Sequence, residues 1–322
     1  MTLPNAECIL PQKLPCGVVV TFHPDEGVRD RIRKMRAECG RLVVVDNGSG
    51  DDTAKLLDGL PEVTLVRLPQ NLGVATALNR GAAWALAQGD EWIVTFDQDS
   101  LPQPGMVPAL MATAVLLPMA GVVGPRILDT VRGREPYRWI CCSDQWPFCF
   151  RRIVCEDEDL ATVTSVITSG SLVSLDAWQK VGGFEDSFFI DYVDNDFCLR
   201  LTESGFRICV SHRAFLEHRL GTRTRHVVAG HDFRPTHHTP LRHYFIARNR
   251  IAMWRRHAVA VPHWALFDLC FAAYNGVRVL AFESHRWRKL KAMILGTWDG
   301  LCGRKGPCPE KRKRVLDVPV ED

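Results

Sequence analysis

Leu42-Val43-Val44-Val45-Asp46-Asn47-Gly48-Ser49-Gly50 is a short apolar run, rich in β-branched residues, that stops at a polar, glycine-rich turn. A run this short, bounded by turn residues, reads as a buried strand. The pattern repeats on both sides. Cys16–Phe22 (CGVVVTF) precedes it, and Val63–Arg67 and Trp92–Phe96 follow. The intervening segments suit helices: Arg29–Cys39 is polar and helix-permissive, and Thr53–Leu60 is short. Val74–Ala87 sets Val74, Leu78, Ala82, Ala85 and Leu86 on one face, with Asn71 near its cap. Strands alternating with helices predict a parallel sheet covered on both faces. Ligands of such sheets bind at the carboxyl ends of the strands. Thr21-Phe22-His23, Asp46-Asn47-Gly48-Ser49 and Asp97-Gln98-Asp99 stand at those ends, so they are expected to converge on one crevice.

Beyond Ser100 the pattern loosens. Met106–Leu117 reads as a helix and Ala120–Pro125 as a strand. Residues 129–159 read as a loop or hairpin over the site. Val163–Leu175 reads as a strand interrupted at Ser169-Gly170-Ser171, and Asp176 as the cap of a short helix ended by Gly182-Gly183. Val193–Ser204 is expected to be helical, and Phe206–Val210 and Arg213–Leu216 to be strands. Leu241–Arg256, Trp264–Phe282 and Arg286–Gly296 are expected to be helices, and Lys311-Arg312-Lys313-Arg314 a solvated tail.

The 322 residues, 24% of them charged and 46% hydrophobic, exclude a wholly disordered, collagenous or coiled-coil chain. No window of eighteen uninterrupted apolar residues predicts a plain transmembrane span, and Met1–Cys16 does not resemble a secretory leader. The twelve cysteines are scattered without metal-ligand spacing, which predicts mostly free thiols in a reducing, cytoplasmic setting. Charge is uneven. Residues 1–200 hold 18 Lys+Arg against 27 Asp+Glu, whereas residues 201–322 hold 22 against 10, with 10 of the 11 histidines. A basic final third suits an anionic partner. It lacks a nucleic-acid-binding motif, so no nucleic acid is expected.

Asp97-Gln98-Asp99-Ser100 places two carboxylates straight after a buried strand, where both can face one ligand instead of a core. Such a pair suits Mg²⁺ or Mn²⁺, whose other ligands come from water and phosphates. A solvated turn would have the same sequence. Asp46 to Thr53 could be a turn and helix cap, or could present Asp46 to a nucleotide's base or ribose. No dinucleotide fingerprint or P-loop is present. Asn71-Leu72-Gly73, with Asn79 following, opens a helix and could either cap it or receive an anion.

In this order and spacing, TFHPDEG, VVVDNGSGDDT, NLGVATALNRG and FDQDS resemble family 2 glycosyltransferases of the GT-A fold, and the FDQDS variant is similar to the bacterial rhamnosyltransferase branch. The resemblance runs on through Gly183-Phe184, Phe188 to Asp194, Leu216 to Gly221 and Arg248-Asn249. It implies a Rossmann-like mixed sheet with helices on both faces, plus a C-terminal helical extension. The expected divisions are an N-terminal extension (1–15), a GT-A domain (16–240, with a nucleotide half 16–100 and an acceptor half 101–240), a helical region (241–306) and a basic tail (307–322).

The implied reaction is inverting transfer of a sugar, L-rhamnose from dTDP-L-rhamnose, to a hydroxyl of a lipid-linked or other glycan in surface-polysaccharide synthesis. The alternatives are a UDP-hexose-dependent enzyme and a non-catalytic nucleotide-sugar-binding protein. The resemblance implies donor contacts at Thr21, Phe22, Asp46, Asn47, Ser49, Asn71, Gly73, Asn79, Asp97 and Gln98. It implies an acceptor side at Ser169 and Gly170, and metal ligation by Asp99 with Asp97 and His218. Asp194 aligns with the family's catalytic base. Val193 replaces the usual Glu, and Asp191 could share the role if the segment is already helical. Trp264–Phe282, with its flanking arginines and lysines, could lie on an anionic leaflet at the inner face of the cell membrane, or could be a helical subdomain with solvated charges.

Overall fold

The computed structural model describes residues 13–57, 59–129, 135–137, 139–142, 150–153, 160–218, 226–228, 231–233 and 237–316. Most of the expected N-terminal extension, residues 219–221 of the Leu216–Gly221 motif, much of 129–159 and the last six residues lie outside them. The chain forms two compact units. One comprises Met1–Cys141, Arg152–Glu185 and Asp194–Arg219. The other comprises Cys142–Arg151, Asp186–Val193 and Leu220–Asp322.

The first unit begins β1 (Cys16–Thr21), α1 (Val28–Glu38), β2 (Arg41–Asp46), α2 (Asp51–Leu57), β3 (Val63–Arg67), α3 (Val74–Ala87), β4 (Trp92–Asp97). It continues β5 (Leu101–Pro102), α4 (Met106–Leu116), β6 (Ala120–Asp129). Then come β7 (Glu135–Pro136), β8 (Trp139–Cys142), β9 (Phe150–Ile153), β10 (Leu160–Thr162), β11 (Leu172–Ser174), α5 (Leu175–Lys180), α6 (Val193–Glu203) and β12 (Arg207–His218). The main sheet runs β10-β12-β6-β11-β4-β1-β2-β3. As alternation predicts, β3, β2, β1 and β4 are parallel. Val18, Val19, Val43, Val44, Ile93, Val94 and Phe96 are buried, as expected for strands covered on both faces. Thr21 pairs with Asp46, and Val20 with Asp97, so the polar strand ends lie level at one edge.

Several expectations are corrected. Helix α2 begins at Asp51, not Thr53, so that Asp51 sits in the first turn, where an acid is favoured. β6 continues past Pro125 to Asp129 because Pro125 sits where the register of β12 shifts, and its missing N–H breaks no ladder there. β12 is one bulged strand, not two. Of Val163–Leu175 only β11 is a strand. Val163 and Val166 are buried, but the chain turns through the bonds Ser171 N–H to Thr168 O and Gly170 N–H to Thr95 O. Ser174, not Asp176, caps α5, its Oγ accepting the Ala177 N–H.

The second unit contains β13 (His226–Val228), β14 (His231–Phe233), α7 (Pro240–His257), α8 (Pro262–Phe282), α9 (Arg286–Leu301) and α10 (Glu310–Leu316). α9 passes through Gly296, which had been expected to end it. A Cβ there would lie 2.2 Å from the Tyr244 carbonyl oxygen, so the glycine serves the close approach of α7 and α9. The expected solvated tail is in part α10. Its Leu316 is buried with Tyr244, Phe245, Ala292 and Cys308, and Arg312 pairs with Asp299 at 3.2 Å.

Candidate active site

At the carboxyl edge of the parallel strands, Asp46 is buried and organises its own turn. It accepts hydrogen bonds from Ser49 Oγ (2.5 Å), the Ser49 N–H, Thr53 Oγ1 (3.2 Å) and Thr21 Oγ1 (3.4 Å). Asn47 ties this turn to the next. Its Oδ1 accepts the Leu72 N–H, and its Nδ2 donates to Asn71 Oδ1, which also accepts the Gly73 N–H. Gly48 has φ +89°, and a Cβ there would come within 2.4 Å of the Gln70 backbone, so the two loops can close only around a glycine. Gln98 joins β1 to β4. Its Oε1 accepts the Phe22 N–H at 2.8 Å and its Nε2 donates to Phe22 O. Phe22 leaves its ring 41% exposed at this edge. Asn79 commits its amide to Phe184, in both directions, and to the Trp178 indole.

The end of β12 brings His218 to the turn after β4. Asp97, Asp99 and His218 each offer a ligand atom, all within 4.8 Å of one another. His218 Nε2 lies 3.7 Å from Asp97 Oδ2, and Nδ1 lies 3.5 Å from Asp99 Oδ1. These separations exceed hydrogen-bond length. Two half-exposed carboxylates and an imidazole on a nine-tenths buried ring fit a divalent cation of the Mg²⁺ or Mn²⁺ kind, the imidazole suiting the transition metal better. Behind them runs a hydroxyl relay. The Asp97 N–H donates to Ser169 Oγ, Ser169 Oγ bonds Ser100 Oγ, and Ser100 Oγ lies 3.2 Å from His218 Nδ1. Ser169 is therefore buried behind the carboxylates, and Gly170 lies beside it on the bond from its N–H to Thr95 O.

Asp194 lies in the first turn of α6 and lines a small cavity of about 10 Å³ with Thr95, Thr168, Ser171, Phe184 and Phe197. Its Oδ1 accepts both the N–H and the Nδ2 of Asn195 at 2.9 Å. Asp191 belongs to the other unit and has φ +63°, so it is not part of the helix, and the expected shared helical face with Asp194 does not form. Both Asp191 carboxylate oxygens face Arg242, with Nη2 2.9 Å from Oδ1.

Phe189, Asp191 and Tyr192 are all left-handed without being glycine. The second unit holds them by side chains. Asn249 Nδ2 donates to the carbonyls of Phe188, Ile190 and Asp191, and Arg248 donates to Phe188 O. The Tyr192 hydroxyl donates to Asp268 at 2.6 Å, and burial raises its pKa well above the ordinary tyrosine value.

The profile of glycosyl transferase family 2 matches residues 28–169, the stretch that builds the Asp46, Asn71 and Asp97–Asp99 turns. Residues 28–169 thus match a family 2 glycosyltransferase domain. Over 291 residues it is 27% identical to the dTDP-rhamnosyl transferase RfbF of Shigella flexneri, covering 90% of this chain and 96% of that one. Over 308 residues it is 27% identical to an N-acetylglucosaminyl-diphospho-decaprenol L-rhamnosyltransferase of Mycobacterium tuberculosis, covering 85% and 96%. Among solved structures it resembles GalNAc-T7 with UDP, GalNAc and Mn²⁺. The TM-score is 0.52 and the identity 13%, over 74% of this chain and 48% of that one, so it spans about half of that protein. The family 2 domain thus has the GT-A fold, followed by C-terminal helices.

Sequence reasoning missed that Ser100 and Ser169 form a relay to His218, and that Arg248 and Asn249 fix the loop before α6. Both pairs stand inside motifs quoted from the sequence, but only distances assign them partners. Among the described cysteines all are free, Cys16, Cys39 and Cys198 buried and Cys270 and Cys302 exposed.

Proposed function

We propose that this protein transfers L-rhamnose from dTDP-L-rhamnose to a hydroxyl of a lipid-linked glycan, with inversion at the anomeric carbon, in the synthesis of a cell-surface polysaccharide. The single observation carrying a catalytic reading is the Asp97, Asp99 and His218 group, set at the strand edge where the nucleotide loops meet. The names of the rhamnosyltransferase relatives support the sugar.

In this reading the Asn47–Asn71 loops and Gln98 shape the donor site, with Phe22 exposed beside it. Asp46 and Asn79 serve it indirectly, by ordering the turn and the helix. Asp97, Asp99 and His218 would hold Mg²⁺ or Mn²⁺, which supplies charge neutralisation to the leaving diphosphate when bound. The acceptor oxygen bonds to the anomeric carbon while the carbon–oxygen bond to the diphosphate breaks, and dTDP leaves with the electron pair. The acceptor's proton passes to Asp194, which stands in the first turn of α6. Asp191, clasped by Arg242, positions its loop.

The test is nucleoside diphosphate release from a panel of sugar nucleotides, with Mg²⁺ or Mn²⁺ and a polyprenyl-diphosphate glycan. Faster release of dTDP from dTDP-L-rhamnose than of UDP from any UDP-hexose is expected. Preference for a UDP-hexose would overturn the donor, and no release from any donor would overturn catalysis.

A further inference from the structure

Helix α8 is built inside out. Its buried positions include Asp268, Asn275 and Arg278, whose spacing sets them on one face. Each of the three has a side-chain hydrogen-bond partner within the unit. Asp268 accepts from Arg250 Nε and Trp254 Nε1, each at 2.9 Å, and from Tyr192, and Arg278 donates to Asn275. The outward face carries Leu266, Leu269, Phe271, Tyr274, Val277 and Leu280, each at least 40% exposed. α9 carries an exposed apolar stripe of its own, Trp287, Ile294 and Trp298, 60–69% exposed. A soluble surface helix has the opposite arrangement, and an apolar face this continuous marks an interaction site.

Charge identifies the occupant. Between residues 262 and 301 every acid, Asp268, Glu283 and Asp299, is buried, while Arg286, Arg288 and Lys291 are exposed. The surface is therefore apolar, edged by tryptophan, and its exposed formal charges are all positive. Tryptophan and cations at the rim of an apolar face are what the headgroup layer of an anionic bilayer accepts. A second copy docked face to face would set these cations against their own kind.

We infer that α8 and α9 seat this protein monotopically on an anionic lipid leaflet, α8 lying in the interface plane with its polar spine turned towards the protein. The 21 residues of α8 are long and apolar enough to cross a membrane, but a spanning helix would have to take Asp268, Asn275 and Arg278 into hydrocarbon away from their partners. This inference stands apart from the donor and acceptor assignment above.

The full chain is floated with vesicles of phosphatidylglycerol and phosphatidylcholine in equal parts, and with phosphatidylcholine alone. Binding to the first is expected to exceed binding to the second and to fall with salt. Leu269→Glu and Val277→Glu should each weaken it roughly tenfold or more, the loss expected when one apolar side chain no longer leaves water. Both variants should keep the wild-type circular dichroism and dTDP binding, which separates this result from a failure of the donor reading. Alkaline carbonate should release the bound protein. Equal binding to both vesicles, unaffected variants, retention after carbonate, or a solution dimer that the same variants dissociate would each overturn the inference.

Discussion

Arg242 places its guanidinium against both oxygens of Asp191, whereas Asp194, three residues later, accepts the N–H and Nδ2 of its neighbour Asn195. Two acids that look equivalent in sequence thus have different surroundings. One is tied into a loop, and the other stands in the first turn of a helix.

Asp194→Asn should therefore retain dTDP binding by calorimetry and lose about 10²–10⁴-fold in transfer, the usual contribution of a general base. Asp191→Asn removes a half-exposed ion pair and should lower stability by about 1 kcal/mol or less while transfer stays within a few fold. The opposite ranking in an initial-rate assay would move the base to Asp191.

Asp99→Ala should abolish metal-dependent diphosphate release, and chelation of the wild type should do the same until Mn²⁺ or Mg²⁺ is restored. Ser100→Ala leaves the ligands in place but removes the hydroxyl 3.2 Å from His218 Nδ1. It should raise the metal concentration for half activity by about 10-fold or more, as outer partners of metal-bound histidines do. An unchanged metal titration in Ser100→Ala would show that the relay does not orient the ring.

Asn79→Ala strips partners from the Phe184 backbone and the Trp178 indole together. Urea unfolding should register a loss of about 1–3 kcal/mol, the cost of partly buried groups left unsatisfied. Full stability in the variant would mean that water replaces the amide.

Glu283 is buried, which raises a carboxyl pKa, but its bond to Lys289 Nζ at 2.8 Å and the nearby His243 outweigh burial and hold it at about 2. A depressed folded-state pKa gives stability that is complete above the unfolded value, 4.5, and is lost as pH falls towards 2. The stability difference between wild type and Glu283→Gln should be constant above that window and shrink through it, measured by urea unfolding at stepped pH. A difference that does not change with pH would remove Glu283 from the acid response.

Thiol labelling followed by mass spectrometry should modify Cys270 and Cys302 first. Cys16 and Cys198 should resist, because burial pushes both thiols up to about 12 and leaves almost no thiolate near neutrality.

The parallel half of the sheet was legible because three of its four strands end in polar residues that their apolar runs do not explain. Thr21, Asp46 and Asp97 could be assigned to one edge on that ground alone. Val163–Leu175 was misread because Val163 and Val166 are buried by side-chain packing while their backbone follows turns, and the two kinds of burial look alike in a sequence. Pro125 misled for a related reason, since a missing N–H stops a strand only where the ladder needs that donor. Of the Asp97, Asp99 and His218 group, the two carboxylates were candidates from their spacing alone. His218, which lies 118 residues beyond Ser100, came only from the family resemblance, and its distance to the carboxylates needed the fold. The alignment favoured Asp194 over Asp191, but the Arg242 partner of Asp191 could not be read from the sequence.

Because Cys142–Arg151 and Asp186–Val193 belong to the same unit as Leu220–Asp322, no single cut separates the two units. A chain ended at residue 240 would keep Phe189, Asp191 and Tyr192 but lose Arg248 and Asn249, the side chains that hold their unfavourable backbone. The glycosyltransferase half is therefore not portable. Any exchange of C-terminal segments between relatives would have to carry the eight residues Asp186–Val193 along with their distant clasp.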